Sequence, residues 1–220
     1  DNYSRLLTDK MFFKAVYNSL KYMIGTLILL IPFPLLFASM LNSKLMKGQG
    51  FFKSVYFLPA LTSVVVAGTI FRLMFGEMDT SLANQIMELL GKSPIKWLKG
   101  EWTGYFALLI VACWRWTGVN ILYFLAGLQS IPTDIYEAAS IDGASKWQQF
   151  IKISFPLVKP TTVYVLTISI YAGLSMFLES FMLWKGNNSP QNIGLTIVGY
   201  LYRQGIEQRA MGYACAVGLV

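Results

Sequence analysis

Residues 136–160 read YEAASIDGASKWQQFIKISFPLVKP. Two acids, three lysines, a glycine and two prolines stand here, between long apolar runs on either side. Residues 102–129 are apolar apart from Arg115, and residues 160–178 carry no charge. A spanning helix needs roughly 20 mostly apolar residues. A short polar connector between two such runs is the pattern of a chain that crosses a bilayer repeatedly. The reading that follows is an all-α, polytopic transmembrane helical bundle.

Further runs extend this pattern. Residues 22–41 and 54–71 are also free of charge, and a fifth apolar run begins near Met211. Composition agrees: 55% of the residues are hydrophobic, mean hydropathy is +0.51, and only 13% are charged, against about 25% in soluble domains. The start DNYSRLL has neither an initiator methionine nor a signal-peptide pattern. The final run is about half the length of a span. The expectation is one transmembrane domain over residues 1–220, cut from a longer protein at both ends.

Composition also removes function classes. The net charge of +7 comes from lysines and arginines set mostly beside spans, where headgroups and the positive-inside bias account for them and nucleic acid is not implied. Cys113 and Cys215 lie in apolar runs and read as inert small hydrophobes. There is no histidine, the commonest general base and zinc ligand. No GxxxxGK[ST] phosphate loop and no GxSxG elbow occurs, so ATP, if used, binds another chain.

Loop 43–53 holds three lysines and no acid, which favours the cytoplasmic side. Alternation then puts loops 76–103 and 183–208 outside and the 136–160 segment inside, although raw basic counts do not decide it. In the first outer loop, Leu82, Ile86, Leu89 and Leu90 have helical spacing, and Gly91 and Pro94 end the helix. This predicts a short amphipathic helix, either an interfacial anchor or a docking surface for an external partner.

Within the polar segment, Asp134 and Glu137 form a capping-type pair that opens a helix. Gly143 is a natural terminator because it tolerates positive φ. Ser145 and Gln148 form a second capping pair, and Trp147, Phe150 and Ile151 make an apolar stripe. Pro156 and Pro160 turn the chain into the next span. The element over residues 134–154 is thus helix, glycine elbow, helix, each helix too short to cross a membrane. By physics alone it is either a surface helix pair without a partner or a knob presented to one.

The pattern Glu137, Ala138, Ala139, Asp142, Gly143, Ala144, followed by Phe150, Ile153, Pro156 and Pro160, resembles the EAA loop of binding-protein-dependent ABC importer permeases. The resemblance covers nearly the whole chain. FLPALTS, VAGTIFRLMFGEM, TSLAN, YFLAGLQ, YVLTISI and IGLTIVGYLY are similar to sugar permeases of the maltose-permease type, in particular those for arabinose and its oligosaccharides.

The resemblance implies that residues 134–154 form short cytoplasmic coupling helices that enter a cleft on an ATPase subunit. Ala138 and Ala139 would allow close approach, Gly143 would make the elbow with Ala144 beside it in the coupling loop, Glu137 would meet a basic residue, and Asp142 would hold the elbow through backbone amides. The implied partners are ATP-binding subunits carrying ATP and magnesium, a second related permease, an extracellular solute-binding protein, a sugar and the bilayer. The implied location is the bacterial cytoplasmic membrane. The chain itself would transport and not catalyse.

Charges inside a span are costly and draw attention to function. Arg72, near a span end, reads as a snorkelling residue. Arg115 and Glu179 read either as an ion pair or as sugar-contacting groups. Trp114, Trp116, Asn120 and Tyr123 fall within three helical turns and join them as substrate-path candidates, since sugar sites combine aromatic platforms with a few polar groups. Trp114 and Trp116 are two apart and cannot share a face. The alternatives are an ion-coupled sugar transporter and an ABC permease for another solute. One glutamate and no histidine supply little for ion coupling.

Overall fold

The computed structural model describes residues 2–43 and 48–220. Lys44 and Lys47, two of the three basic residues in loop 43–53, lie outside the described residues. Every regular element among the described residues is helical. The first are α1 (Asn2–Thr8), α2 (Lys10–Leu30) and α3 (Pro32–Leu41). α4 (Gln49–Leu61), α5 (Val64–Met74), α6 (Leu82–Leu89) and α7 (Glu101–Gln129) follow. α8 (Thr133–Ile141), α9 (Lys146–Gln149), a π-turn (Phe150–Ser154) and α10 (Phe155–Leu157) lead into α11 (Lys159–Leu174). The last are α12 (Leu178–Leu183), α13 (Ile197–Tyr202), a second π-turn (Arg203–Glu207) and α14 (Met211–Leu219).

Two continuous runs are long and apolar enough to span a membrane, Lys10–Leu41 and Glu101–Gln129. The other two expected complete spans are interrupted. Residues 54–71 divide at Thr62–Ser63, where Ser63 is extended (φ −55°, ψ 135°), while Pro59 is accommodated inside α4, which runs on to Leu61. Residues 160–178 divide as well. α11 stops at Leu174, and its 16 residues reach ~24 Å, short of the hydrocarbon core. The helix before it, Lys146–Leu157, meets it at a bend of 64°, where Pro156 and Pro160 break the amide ladder.

The chain forms two compact units. The first comprises residues 1–26, 62–112 and 171–220. Its core includes Leu6, Phe12, Ala15, Leu195, Tyr200, Tyr213 and Val217. α5 runs along α12, and a Cβ at Gly68 would sit 2.4 Å from that of Met182. Asp9 caps α2, accepting from the Met11 and Phe12 amides at 2.8 and 3.3 Å.

The expected outer loop 183–208 is a packed segment of this unit and not a solvated loop. Leu195, Thr196, Tyr200 and Gln204 are buried. Side chains satisfy its irregular backbone. Asn18 donates to the carbonyls of Asn192 and Leu195 at 2.8 and 2.9 Å, and Ser180 donates to Gly194 at 2.6 Å.

In the same unit, α6 forms as its periodicity predicts, and Gly91 ends it at φ +70°. The amides of Gly91 and Lys92 bond the carbonyls of Glu88 and Met87, a Schellman closure. Asn84, fully buried, accepts from the Ile95 amide and the Trp97 indole, both at 2.9 Å. Leu82, Ile86, Leu89 and Leu90 point outward.

The second unit comprises residues 27–61 and 113–170. Leu35, Ala38 and Leu41 of α3 pack with Ile121, Phe124, Leu125 and Leu128 of α7, and with Val158 and Val165. α7 approaches α4 at Gly118, where a Cβ would lie 1.8 Å from the Tyr56 carbonyl oxygen. It approaches α11 at Gly127, opposite Thr161.

Candidate functional site

Residues 133–158 build one compact hairpin at the end of α7. α8 starts at Thr133, after an extended Pro132 (φ −56°, ψ 135°). Asp134 and Glu137 are therefore both inside the first turns, and Asp134 is not the cap residue that its spacing suggested. Proline fixes the start two residues earlier than the acid would.

The helix ends at an αL glycine. Gly143 has φ +78°, the Gly143 amide bonds the Ser140 carbonyl at 3.2 Å, and the Ala144 amide bonds Ala139 at 2.9 Å. This is a Schellman closure. A Cβ at Gly143 would meet nothing of this chain within 4 Å, so backbone conformation alone asks for glycine here. Asp142 is the exposed C-cap. The expected Asp142 bonds to nearby backbone amides do not form among the described residues, because the Gly143 and Ala144 amides are taken by the turn.

The return arm opens with a capping box. Ser145 Oγ accepts the Gln148 amide at 3.3 Å, and Gln148 Oε1 accepts the Ser145 amide at 2.7 Å. Trp147 and Phe150 stack at 5.6 Å. Phe150 and Tyr136 pack on the core formed by α3 and α7, while Trp147 stays 64% exposed and Ile141 87% exposed. Glu137 and Ala138 are exposed, and Ala139 and Ala144 are half-buried. The result is a projecting elbow with a small, partly apolar tip whose base is embedded in a helical core.

The substrate-path candidates divide between the two units. Trp114, Arg115, Trp116, Asn120 and Tyr123 lie on the α7 part of the second unit, and Glu179 lies in the first. Trp114 and Trp116 are both at the surface, and Arg115 is half-buried with its guanidinium carbon 5.3 Å from the Trp116 ring centroid. Tyr123 meets Tyr164 edge-on at 5.5 Å. Glu179 is half-buried in the first turn of α12, where a carboxylate is favoured by the helix dipole.

Asn120 has a structural task. It is buried and donates its amide to the Leu30 carbonyl at 2.8 Å. Pro34 has no N–H to offer that carbonyl, so α7 supplies the donor. Arg72 is half-buried in the last turn of α5. No group of three His, Cys, Asp or Glu side chains among the described residues could hold a metal.

Sequence reasoning missed Tyr136, Gln149 and Ser154, which join the two arms of the hairpin. Tyr136 Oη and Ser154 Oγ are 2.9 Å apart, and Gln149 Nε2 donates to Ser140 Oγ at 2.8 Å. No sequence signal pointed to Gln149: at about 100° per residue it lies on the face opposite the Trp147, Phe150 and Ile151 stripe, and the structure buries that opposite face, leaving Trp147 and Ile151 exposed.

The family described as "Binding-protein-dependent transport system inner membrane component" matches residues 10–220. The chain belongs to this family. The permease is 58% identical over 219 residues to the arabinooligosaccharides transport system permease protein AraP of Bacillus subtilis, covering all of this chain and 69% of that protein. It is 52% identical to AraP of Halalkalibacterium halodurans, with the same coverage. It is 32% identical to the lactose transport system permease protein LacF of Rhizobium radiobacter, covering 74% of that protein.

Among solved structures, the permease matches a chain of a bacterial alginate ABC transporter in complex with an alginate pentasaccharide-bound periplasmic protein. The TM-score is 0.90 at 24% identity, over all of this chain and 76% of that one, so the fold is shared. Family membership sets aside the ion-coupled alternative. The chain is a permease component of a binding-protein-dependent transport system.

Proposed function

We propose that this permease imports arabinose-containing oligosaccharides, driven by ATP hydrolysis on separate subunits. The observation that carries the reading is 58% identity to AraP of Bacillus subtilis across the whole chain. The hairpin around Gly143 acts as the coupling element. Its exposed tip, with Glu137, Ala138, Ala139, Asp142, Gly143 and Ala144, enters a cleft of a cytoplasmic ATPase. Small side chains and an αL glycine allow the close approach that such an insertion needs.

The base of the hairpin is packed into the core of α3 and α7, so displacement of the tip carries the spanning helices with it. ATP and magnesium sit on the partner, a second, related permease completes the pathway, and an external binding protein delivers the sugar. Trp114, Arg115, Trp116, Tyr123 and Glu179 are candidates to line the path. Asn120 belongs to the same stretch of α7, with its amide held by Leu30. The chain lies in a bacterial cytoplasmic membrane with the hairpin inside.

The test is co-purification of the full-length protein, tagged, from its host. ATPase, second permease and sugar-binding protein should be recovered together. The purified binding protein should then bind arabino-oligosaccharides in preference to maltose or lactose. Recovery without an ATPase, under conditions that keep a control importer intact, would remove the ATP-driven reading. Preference for another solute would remove the sugar assignment alone.

A further inference from the structure

Gln149 is 4% exposed, between the exposed Gln148 and the half-buried Phe150. A buried amide needs partners, and this one has them across the elbow. Nε2 donates to Ser140 Oγ at 2.8 Å and to the Ala144 carbonyl at 3.2 Å, and Oε1 accepts from Lys146 Nζ at 3.2 Å. Ser140 Oγ in turn donates to the Tyr136 carbonyl at 2.7 Å. A second clasp, Tyr136 Oη to Ser154 Oγ at 2.9 Å, closes the hairpin nearer the core.

The two clasps have a particular register. On α8, Ser140 and Tyr136 are four apart, which places them on one face. On the return arm, Gln149 and Ser154 are five apart. In an α-helix a residue five positions on is turned about 140° away, so both could not face α8. Here the arm is a π-turn over Phe150–Ser154, and the Phe155 amide bonds the Phe150 carbonyl, five back. The i→i+5 pattern brings positions five apart towards one face. The π-turn is the backbone condition for both clasps to form together.

We infer that Gln149 is a positioning residue of the coupling element, which with Ser140 and the π-turn locks the two arms so that the elbow moves as one body with α7. The mechanical half of this rests on the ATPase-coupling reading given under Proposed function. Gln149 does not touch the partner; it sets the angle at which Ala138, Gly143 and Ala144 are presented.

The test uses the full-length permease, with Cys113 and Cys215 replaced by serine, spin labels at Ile141→Cys and Val163→Cys, and the co-purified ATPase. Two readings are taken, the width of the label-to-label distance distribution and ATP hydrolysis against added ATPase subunit. Gln149→Leu keeps the volume and removes the bonds. Its distribution should broaden. Its hydrolysis plateau should fall about tenfold, the factor that one or two net hydrogen bonds convert to, while half-saturation stays within about threefold of wild type.

Ser140→Ala should shift both readings the same way by less. The double variant should equal Gln149→Leu, because both act through one clasp. An unchanged distribution and plateau in Gln149→Leu, at wild-type abundance, overturns the inference. If Gln149→Leu does not accumulate in the membrane, Ser140→Ala decides: broadening supports the lock and no change overturns it. A wild-type protein that recruits no ATPase overturns the coupling reading, while the width comparison still judges the clasp.

Discussion

Asn120 donates its side-chain amide to the Leu30 carbonyl at 2.8 Å, the carbonyl that Pro34 leaves without a helical donor. A proline within a span is tolerated when a neighbouring helix re-satisfies the freed group. α7 does this for the break between α2 and α3, and the bond explains why a buried asparagine sits among Ile121, Phe124 and Leu125.

The bond predicts a coupled pair. Asn120→Leu should lower stability by about 1–2 kcal/mol, read as thermal unfolding of the purified protein in detergent. Pro34→Leu restores an amide to the helix, and in that background Asn120→Leu should cost much less. Equal costs in both backgrounds would show that the Leu30 carbonyl is not what Asn120 serves.

Gly118 is the most crowded glycine described in the second unit, with a Cβ position 1.8 Å from a backbone oxygen of Tyr56. Backbone cannot step aside as a side chain can. Gly118→Ala should therefore cost about 2–3 kcal/mol through forced separation of α7 from α4. Gly25→Ala meets side-chain atoms alone, the Tyr105 hydroxyl at 2.0 Å and a Leu109 methyl at 3.0 Å, and should cost less in the same unfolding assay.

At the elbow it is backbone conformation and not space that sets the cost. Gly143→Ala has open space within this chain but a φ of +78°. Its cost to the isolated permease should be about 1 kcal/mol. Gly143→Asn should cost less, since asparagine tolerates αL. If the elbow enters an ATPase cleft, both variants should release the ATPase on co-purification out of proportion to their unfolding cost. Retention equal to wild type would mean that the tip does not closely approach a partner.

Asp9 supplies a pH-dependent contribution outside the spans. Burial raises its pKa, but bonds from Tyr200, Tyr213 and the Met11 and Phe12 amides outweigh this and leave it below the ordinary 3.8. A depressed carboxylate stabilises the fold above its unfolded pKa, and the stability is lost as pH falls through the folded value. The wild type should lose this contribution below about pH 4. Asp9→Ala should be less stable by about 1–2 kcal/mol at neutral pH, with a flatter acid limb in urea titrations. Parallel acid limbs would rule out Asp9 as the titrating group.

Local features of the fold were legible because their causes are local. Gly91 ends α6, Gly143 ends α8, and the Ser145–Gln148 capping box forms as its spacing says. Apolar run length marked residues 22–41 and 102–129, which fall within the spans Lys10–Leu41 and Glu101–Gln129. The elbow stretch around Ala138 and Gly143 carried the family resemblance in linear order. Where two local signals competed, the stronger constraint won: Pro132, with its fixed φ, displaced Asp134 from the cap.

What the sequence by itself determined is thus an all-helical, repeatedly membrane-crossing chain with a glycine elbow between short helices. Only the tertiary structure decided that residues 183–208 pack as core. A glycine- and asparagine-rich run reads as a loop until Asn18 and Ser180, 174 and 14 residues away from their acceptors, bond its carbonyls. Only the tertiary structure gave Asn120 its acceptor 90 residues away, and only there does the π-turn bring Gln149 and Ser154 into line with α8. Run length, caps and turns are written in neighbouring residues, whereas satisfaction of buried polar groups depends on partners that linear order does not reveal.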